Sequence, residues 1–180
     1  MSVVRSTLKR YAVCVTSMAL VIALSNYLVQ FPIGDWLTLA AFSYPLCFLV
    51  TDISNRFHGV SFARRVVFFG FAFGALLSVM LATPRIAVAS GTAFLVSQWL
   101  DVMIFNRLRQ QIWWKAPLFS SACGSIVDTA LFFGLAFAFT NNPWVTLAAG
   151  DFLAKAAMFL LLLPVYRNLV RRLSLYWQWA

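Results

Sequence analysis

The stretch PLFSSACGSIVDTALFFGLAFAF, Pro117–Phe139, is apolar enough to cross a bilayer yet carries an aspartate, Asp128, near its middle. A spanning helix needs roughly 20 predominantly apolar residues. A carboxylate within it costs roughly 2.5 to 3.5 kcal/mol on insertion scales, so it is expected to face a polar cavity, a partner or a substrate. On a helix, Ser121, Ser125 and Asp128 fall within about 40° of one another, and Gly124 lies beside that stripe. This predicts a polar face with room against it. The structural alternative is that Asp128 only binds neighbouring helices together.

Five further segments have the same character: about Tyr11 to Phe31, Trp36 to Ser54, Arg65 to Thr83, Arg85 to Phe105 and Pro143 to Tyr166. The chain of 180 residues is 62% hydrophobic and only 11% charged, well beyond the 45–50% apolar content usual for a soluble domain. The expected fold is therefore an all-α integral membrane protein, a six-transmembrane-helix bundle forming a single transporter domain over residues 1–180. Pro117 and Asn141-Asn142-Pro143 mark helix starts. Pro45 and Pro164 fall inside spans, where they remove backbone hydrogen bonds and favour kinks. Gly70 with Gly74, and Ala19 with Ala23, have the spacing for close helix approach.

The net charge of +9 is organised by side. Arg5, Lys9 and Arg10 precede the first segment; Arg56, Arg64 and Arg65 follow the second; Arg107, Arg109 and Lys115 follow the fourth; Arg167, Arg171 and Arg172 follow the sixth. The remaining connections hold only Arg85. By the positive-inside rule this alternation places both termini in the cytoplasm. The same dispersal, without a binding motif, argues against nucleic acid as a partner. Ala23-Leu24-Ser25 weakly resembles a signal-peptide cleavage site, but removing the first segment would break the alternation. Trp36, Trp113, Trp114, Trp144, Trp177 and Trp179 lie near segment ends, as interfacial anchors do.

All five acidic residues are aspartates, and Asp52, Asp101, Asp128 and Asp151 lie within or at the edge of the segments. Asp151 and Lys155 are four apart with the acid first, the spacing of an intrahelical ion pair. Gln98 and Asp101 are about 60° apart on a helix and can face one cavity, whereas Trp99 is about 100° from Gln98 and 160° from Asp101. Tyr44, Thr51 and Asn55 share one stripe, with Asp52 about 80° away. Cys14, Cys47 and Cys123 read as packing residues with no metal-ligand spacing. No GxxxxGK[ST] phosphate loop is present. His58, the one histidine, lies outside the apolar segments, which disfavours serine-histidine catalysis there. No cofactor or metal is expected, and the chain reads as a transporter, not an enzyme.

Several runs resemble one known family: Tyr44-Pro45 with Thr51-Asp52 and Ala63-Arg64-Arg65; Gln98-Trp99-Leu100-Asp101 leading to Phe105-Asn106-Arg107-Leu108-Arg109; Trp113-Trp114 with Ala116-Pro117; Asp128-Thr129 with Phe132-Phe133; and Asp151 with Lys155 before Leu163-Pro164-Val165-Tyr166. Together, from about Ala41 to Tyr166, they look like the queuosine precursor transporter family, also called the vitamin uptake transporter family. The third-to-fourth connection, about Ala82 to Pro84, is short. The resemblance implies a multi-pass protein of the bacterial inner membrane. It would import 7-deazaguanine bases, cyano- and aminomethyl-substituted, as queuosine precursors for transfer-RNA modification. It also implies kinship with the substrate-binding subunits of energy-coupling-factor transporters.

Chemistry and position, not the resemblance, select the candidate substrate-binding residues. A guanine-like edge presents adjacent N–H donors, which a carboxylate accepts in bidentate fashion, while amides complete the pattern and aromatic faces cover the ring. Asp128 and Asp101 are candidate carboxylates, Gln98, Asn55 and Asn26 candidate amides, and Trp99, Tyr44 and Phe132 candidate platforms. Asp52, Asp151 and Lys155 are charges for coupling or for structure. The expected partners are a small deazapurine base and the lipid bilayer; a homo-oligomer and an energising partner stay open. The alternatives are uptake of a vitamin or other small molecule, a binding subunit, and an integral-membrane enzyme using the aspartates as acid and base.

Overall fold

A computed structural model describes residues 2–28, 30–34, 36–78, 84–140 and 144–178. The helix start expected at Asn141-Asn142-Pro143, most of the short Ala82 to Pro84 connection, Asp35 and the anchor at Trp179 lie outside them. In chain order the elements are α1 (Ser2–Leu28), β1 (Pro32–Ile33), β2 (Leu37–Thr38), α2 (Ala40–Ser43), α3 (Pro45–His58), α4 (Val60–Ser78), α5 (Pro84–Leu108), α6 (Lys115–Phe137) and α7 (Trp144–Gln178). Among the described residues, four helices are long and apolar enough to cross a membrane on their own: Leu8–Leu28, Pro84–Leu108, Lys115–Phe137 and Trp144–Leu175.

The second expected span, Trp36 to Ser54, is not one helix. Its first residues form an antiparallel hairpin in which Pro32 pairs with Thr38 and Ile33 with Leu37; Gly34, at φ 59°, sits in the left-handed region the turn requires. A four-residue helix follows, and α3 then starts at Pro45. The break has a local cause: proline has no N–H to offer the carbonyl of Ala41, so it suits the first turn of a new helix and not the interior of an old one. With 14 residues, α3 rises roughly 21 Å, short of the roughly 30 Å hydrocarbon thickness. The hairpin and α2 precede it in the chain. Pro164, by contrast, stays inside a continuous α7 of 35 residues, whose length of roughly 50 Å carries it past a bilayer.

Helix α1 lies on α4 at the glycine pair expected to allow it. A Cβ on Gly70 would collide with the Met18 side chain, and one on Gly74 would lie 2.7 Å from Ile22 Cβ and 3.3 Å from the Ala19 carbonyl. Met18, Ile22, Cys47, Val66, Val67 and Phe94 fill the core between α1, α3, α4 and α5. The most extensive pairing is α5 with α6. The room expected beside Gly124 is taken by α3, since a Cβ there would lie 2.7 Å from Phe48 Cε1.

One end of the bundle collects the cations. Arg56 donates to the Arg109 carbonyl, Arg109 to the Arg56 carbonyl at 3.4 Å, and the Arg167 guanidinium lies 4.8 Å from the Trp113 ring centre. At the other end Arg85 donates to the carbonyls of Leu135 (3.1 Å) and Ala138 (2.8 Å), caring for the last turn of α6.

Candidate substrate cavity

Four helices converge on one buried ionic knot. On α7 the predicted pair forms, with Lys155 Nζ 2.6 Å from Asp151 Oδ2, but the same ammonium also reaches Asp128 Oδ2 of α6 at 2.9 Å. It donates to Thr129 Oγ1 at 3.3 Å and lies 5.0 Å from the centre of the Tyr44 ring. Thr129 in turn donates to Asp151 at 2.9 Å. The second Asp128 oxygen accepts from the Tyr44 hydroxyl at 3.1 Å and from Ser97 of α5 at 3.4 Å. One cation among two carboxylates leaves the knot with a formal charge of −1. Buried charges survive only when paired and hydrogen-bonded, and here the partners come from α5, α6, α7 and the junction of α2 with α3.

The knot forms the floor of a cavity of about 520 Å³, within the 300–1,000 Å³ typical of small-molecule sites. Asp128, Asp151 and Lys155 line it together with Tyr44 and, from α1 and the hairpin, Ser25, Asn26, Gln30 and Thr38. Its other wall is aromatic: Phe71 and Phe94, whose rings stack at 5.5 Å and 19°, face Phe132, Phe133 and Phe137. Helix α5 contributes Ser90 and Gly91. The cavity therefore occupies the half of the bundle away from the cation-rich end. Of the side chains, Asp151 is more open to it than Asp128, at 15% against 4% exposure.

The candidates chosen from sequence divide accordingly. Asp128, Tyr44, Asn26 and Phe132 line the cavity, as do Asp151 and Lys155. Gln98, Asp101, Asn55 and Asp52 do not; they are buried in the half below, between α3, α5 and α6. Gln98 accepts from Thr51 at 2.5 Å and Asn55 donates to the Val102 carbonyl at 2.9 Å, so both amides hold α3 to α5. Trp99 points out of the bundle, 51% exposed, with the Arg64 guanidinium 5.6 Å from its ring centre. The helix phase that separates it from Gln98 and Asp101 is thus kept, and it is no platform for the cavity. Sequence reasoning missed Phe71, Phe94, Ser90, Gln30 in the turn after α1 and Thr38 in the hairpin. Only the aromatic character of the phenylalanines marked them, and eighteen phenylalanines share it.

A bundle of long apolar helices around a charged, aromatic-walled cavity fits the class of multi-pass membrane transporters. Comparison with known proteins agrees. A family model described as a putative vitamin uptake transporter matches residues 38–83 and 74–168. The "Queuosine precursor transporter" of Escherichia coli (strain K12) is 38% identical over 184 residues, covering 86% of this chain and 83% of that protein. The "Probable queuosine precursor transporter" of Haemophilus influenzae is 34% identical over 188 residues (81% and 80%), and that of Bacillus subtilis 27% identical over 157 residues (71% and 69%). No solved structure matches significantly. The chain belongs to the vitamin uptake transporter family and is a multi-pass membrane transporter, not an enzyme.

Proposed function

We propose that this chain, as a single transporter domain in the bacterial inner membrane, imports 7-deazaguanine precursors of queuosine, the cyano- and aminomethyl-substituted bases. The observation that carries the reading is the cavity, which pairs carboxylate acceptors with aromatic faces in a volume large enough to admit a fused heterocycle. The carboxylates of Asp151 and Asp128 offer acceptors for the adjacent N–H donors of a guanine-like edge. Asn26 and Gln30 supply amides, and Phe132 with the Phe71–Phe94 stack supplies flat apolar faces. The names of the similar proteins in three bacteria support the same cargo. The family model's description keeps vitamin uptake as the second reading.

Uptake of labelled deazaguanine bases into proteoliposomes containing only this chain tests the proposal. Saturable uptake, competed by unlabelled deazaguanine and not by vitamins, is the expected result, and Phe132→Ala is expected to weaken binding about 5- to 150-fold, the equivalent of 1–3 kcal/mol for a lost stacking partner. Uptake no greater than in empty liposomes would refute it. A need for a co-purifying ATPase would instead favour the kinship with energy-coupling-factor binding subunits.

The orientation follows from the cations. We place the end holding Arg56, Arg109 and Arg167 in the cytoplasm, with both termini. In a variant lacking Cys14, Cys47 and Cys123, Phe139→Cys at the exposed end of α6 is expected to react with a membrane-impermeant maleimide in intact spheroplasts. Protection there, with labelling in inside-out vesicles, would reverse the assignment.

A further inference from the structure

Below the cavity lies a second acidic group that the proposed cargo site does not use. Asp52 of α3 and Asp101 of α5 are 2% and 0% exposed, and their carboxyl groups face each other within hydrogen-bonding reach. Asp52 accepts from Ser120 Oγ at 3.3 Å and from Ser121 Oγ at 3.5 Å, both on α6. The Ser120 hydroxyl also lies near Asp101, but it is directed to Asp52, and no hydrogen bond closes onto either Asp101 oxygen. Among the described residues no cation forms an ion pair with either carboxylate: Lys155 is held by Asp128 and Asp151, and the Arg56 guanidinium is turned to the Arg109 carbonyl. From α7, Tyr166 lies within electrostatic reach of Asp52 and of Arg56 and Arg109.

Two ionised carboxylates cannot hydrogen-bond each other, and like charges so close cannot both be sustained away from water. A single proton resolves both difficulties. It turns one carboxylate into a donor, gives the orphaned Asp101 oxygen a partner, and reduces the charge of the pair from −2 to −1. We propose that Asp52 and Asp101 form a buried site that holds one proton between them and exchanges it during the transport cycle. Space for exchange exists beside Asp52, where a cleft of about 20 Å³ is lined by Ser121 and Tyr166, about the room of one water. Toward the cavity, buried polar groups without partners continue the path: Gln98 Nε2 and Ser125 Oγ. Both lie about one helical turn from the pair or its serines, and Ser125 is one turn short of Asp128. Aspartates inside spans commonly carry protons in this manner. A metal ion is the poorer occupant, because the serine hydroxyls already donate to Asp52 and an ion between the carboxyls would part them.

The exchange step rests on the transporter reading, so the test has one arm that needs no cargo. Infrared spectra of the purified protein with carbon-13 aspartate are expected to show a protonated-carboxyl band at neutral pH. It should vanish in Asp52→Asn/Asp101→Asn and persist in Asp128→Asn. Absence of the band in the wild type, its survival in the double variant, or its loss on replacing choline chloride by sodium chloride would each overturn the proposal. The single variants Asp52→Asn and Asp101→Asn, monodisperse by gel filtration, stand in if the double variant fails to fold. In proteoliposomes a one-unit pH gradient is expected to raise accumulation by the wild type about tenfold, the limit for one proton per cargo molecule. The double variant should lose that gain while its equilibrium affinity for cargo stays within about twofold, because the pair lies outside the cavity. Gradient-driven accumulation by the double variant would overturn the exchange step. If the wild type carries no deazaguanine, the cargo assignment fails, while the infrared result still decides the pair.

Discussion

Asp128→Asn is expected to lower uptake about 30-fold or more while the protein still inserts and folds. Truncating one partner of a buried hydrogen-bonded charge pair costs roughly 2–5 kcal/mol, and each 1.4 kcal/mol is tenfold. Asparagine keeps the volume and one acceptor oxygen, so either the Tyr44 hydroxyl or the Lys155 ammonium retains an acceptor and the other meets an amide N–H₂. Lys155 does not become an orphan, because Asp151 remains 2.6 Å away. The protein therefore survives, but the floor of the cavity is rearranged where cargo is expected to sit. Uptake assays on vesicles with matched protein content, checked by gel filtration, measure this. Normal transport by the asparagine variant would show the carboxylate to be dispensable.

Lys155→Met removes the sole cation of the knot and leaves Asp128 and Asp151 buried against each other. Breaking a buried ionic cluster in this way is expected to destabilise by about 3–5 kcal/mol, because uncompensated charge remains. The loss should be largely recovered in Asp128→Asn/Asp151→Asn/Lys155→Met, where no charge is left to desolvate, although that protein should not transport. Thermal unfolding in detergent, followed by tryptophan fluorescence, gives both comparisons. A single variant within about 1 kcal/mol of the wild type would mean that water already reaches the knot, as for an exposed pair.

Much of this arrangement was legible because it is local. The Asp151–Lys155 spacing specifies an ion pair on any helix, and the Ser121, Ser125 and Asp128 stripe does face inward, with all three buried. The close approach at Gly70 and Gly74 was written in their spacing. Helix phase also correctly separated Trp99 from Gln98 and Asp101. Phase does not report depth, however. Gln98 and Asp101 face the same direction as residues lining the cavity, yet sit below it, because the position of the cavity along the bundle depends on where Phe48 of α3 fills the space against Gly124. That contact joins residues far apart in sequence. The hairpin was hidden for a different reason: from Trp36 the segment carries no charge before Asp52, so part of a strand pair and two helices read as one span, and Pro45 alone marked the seam. The walls of the cavity required knowing that α4 and α5 bring Phe71 onto Phe94.

Beneath the Phe48–Gly124 contact, the helices α3, α5 and α6 share a layer of Thr51, Gln98, Asn55, Asp52, Asp101, Ser120 and Ser121, all seven buried and all polar. An interface of that composition behaves unlike a greasy one when it is pulled apart. Hydrocarbon faces entering water would oppose separation in proportion to their area, whereas hydroxyls, amides and carboxyls exchange partners with solvent at small net cost. Parting that polar layer is therefore expected to cost less than parting a hydrocarbon face of the same area, so a bound molecule would need to supply only a modest bias to shift it.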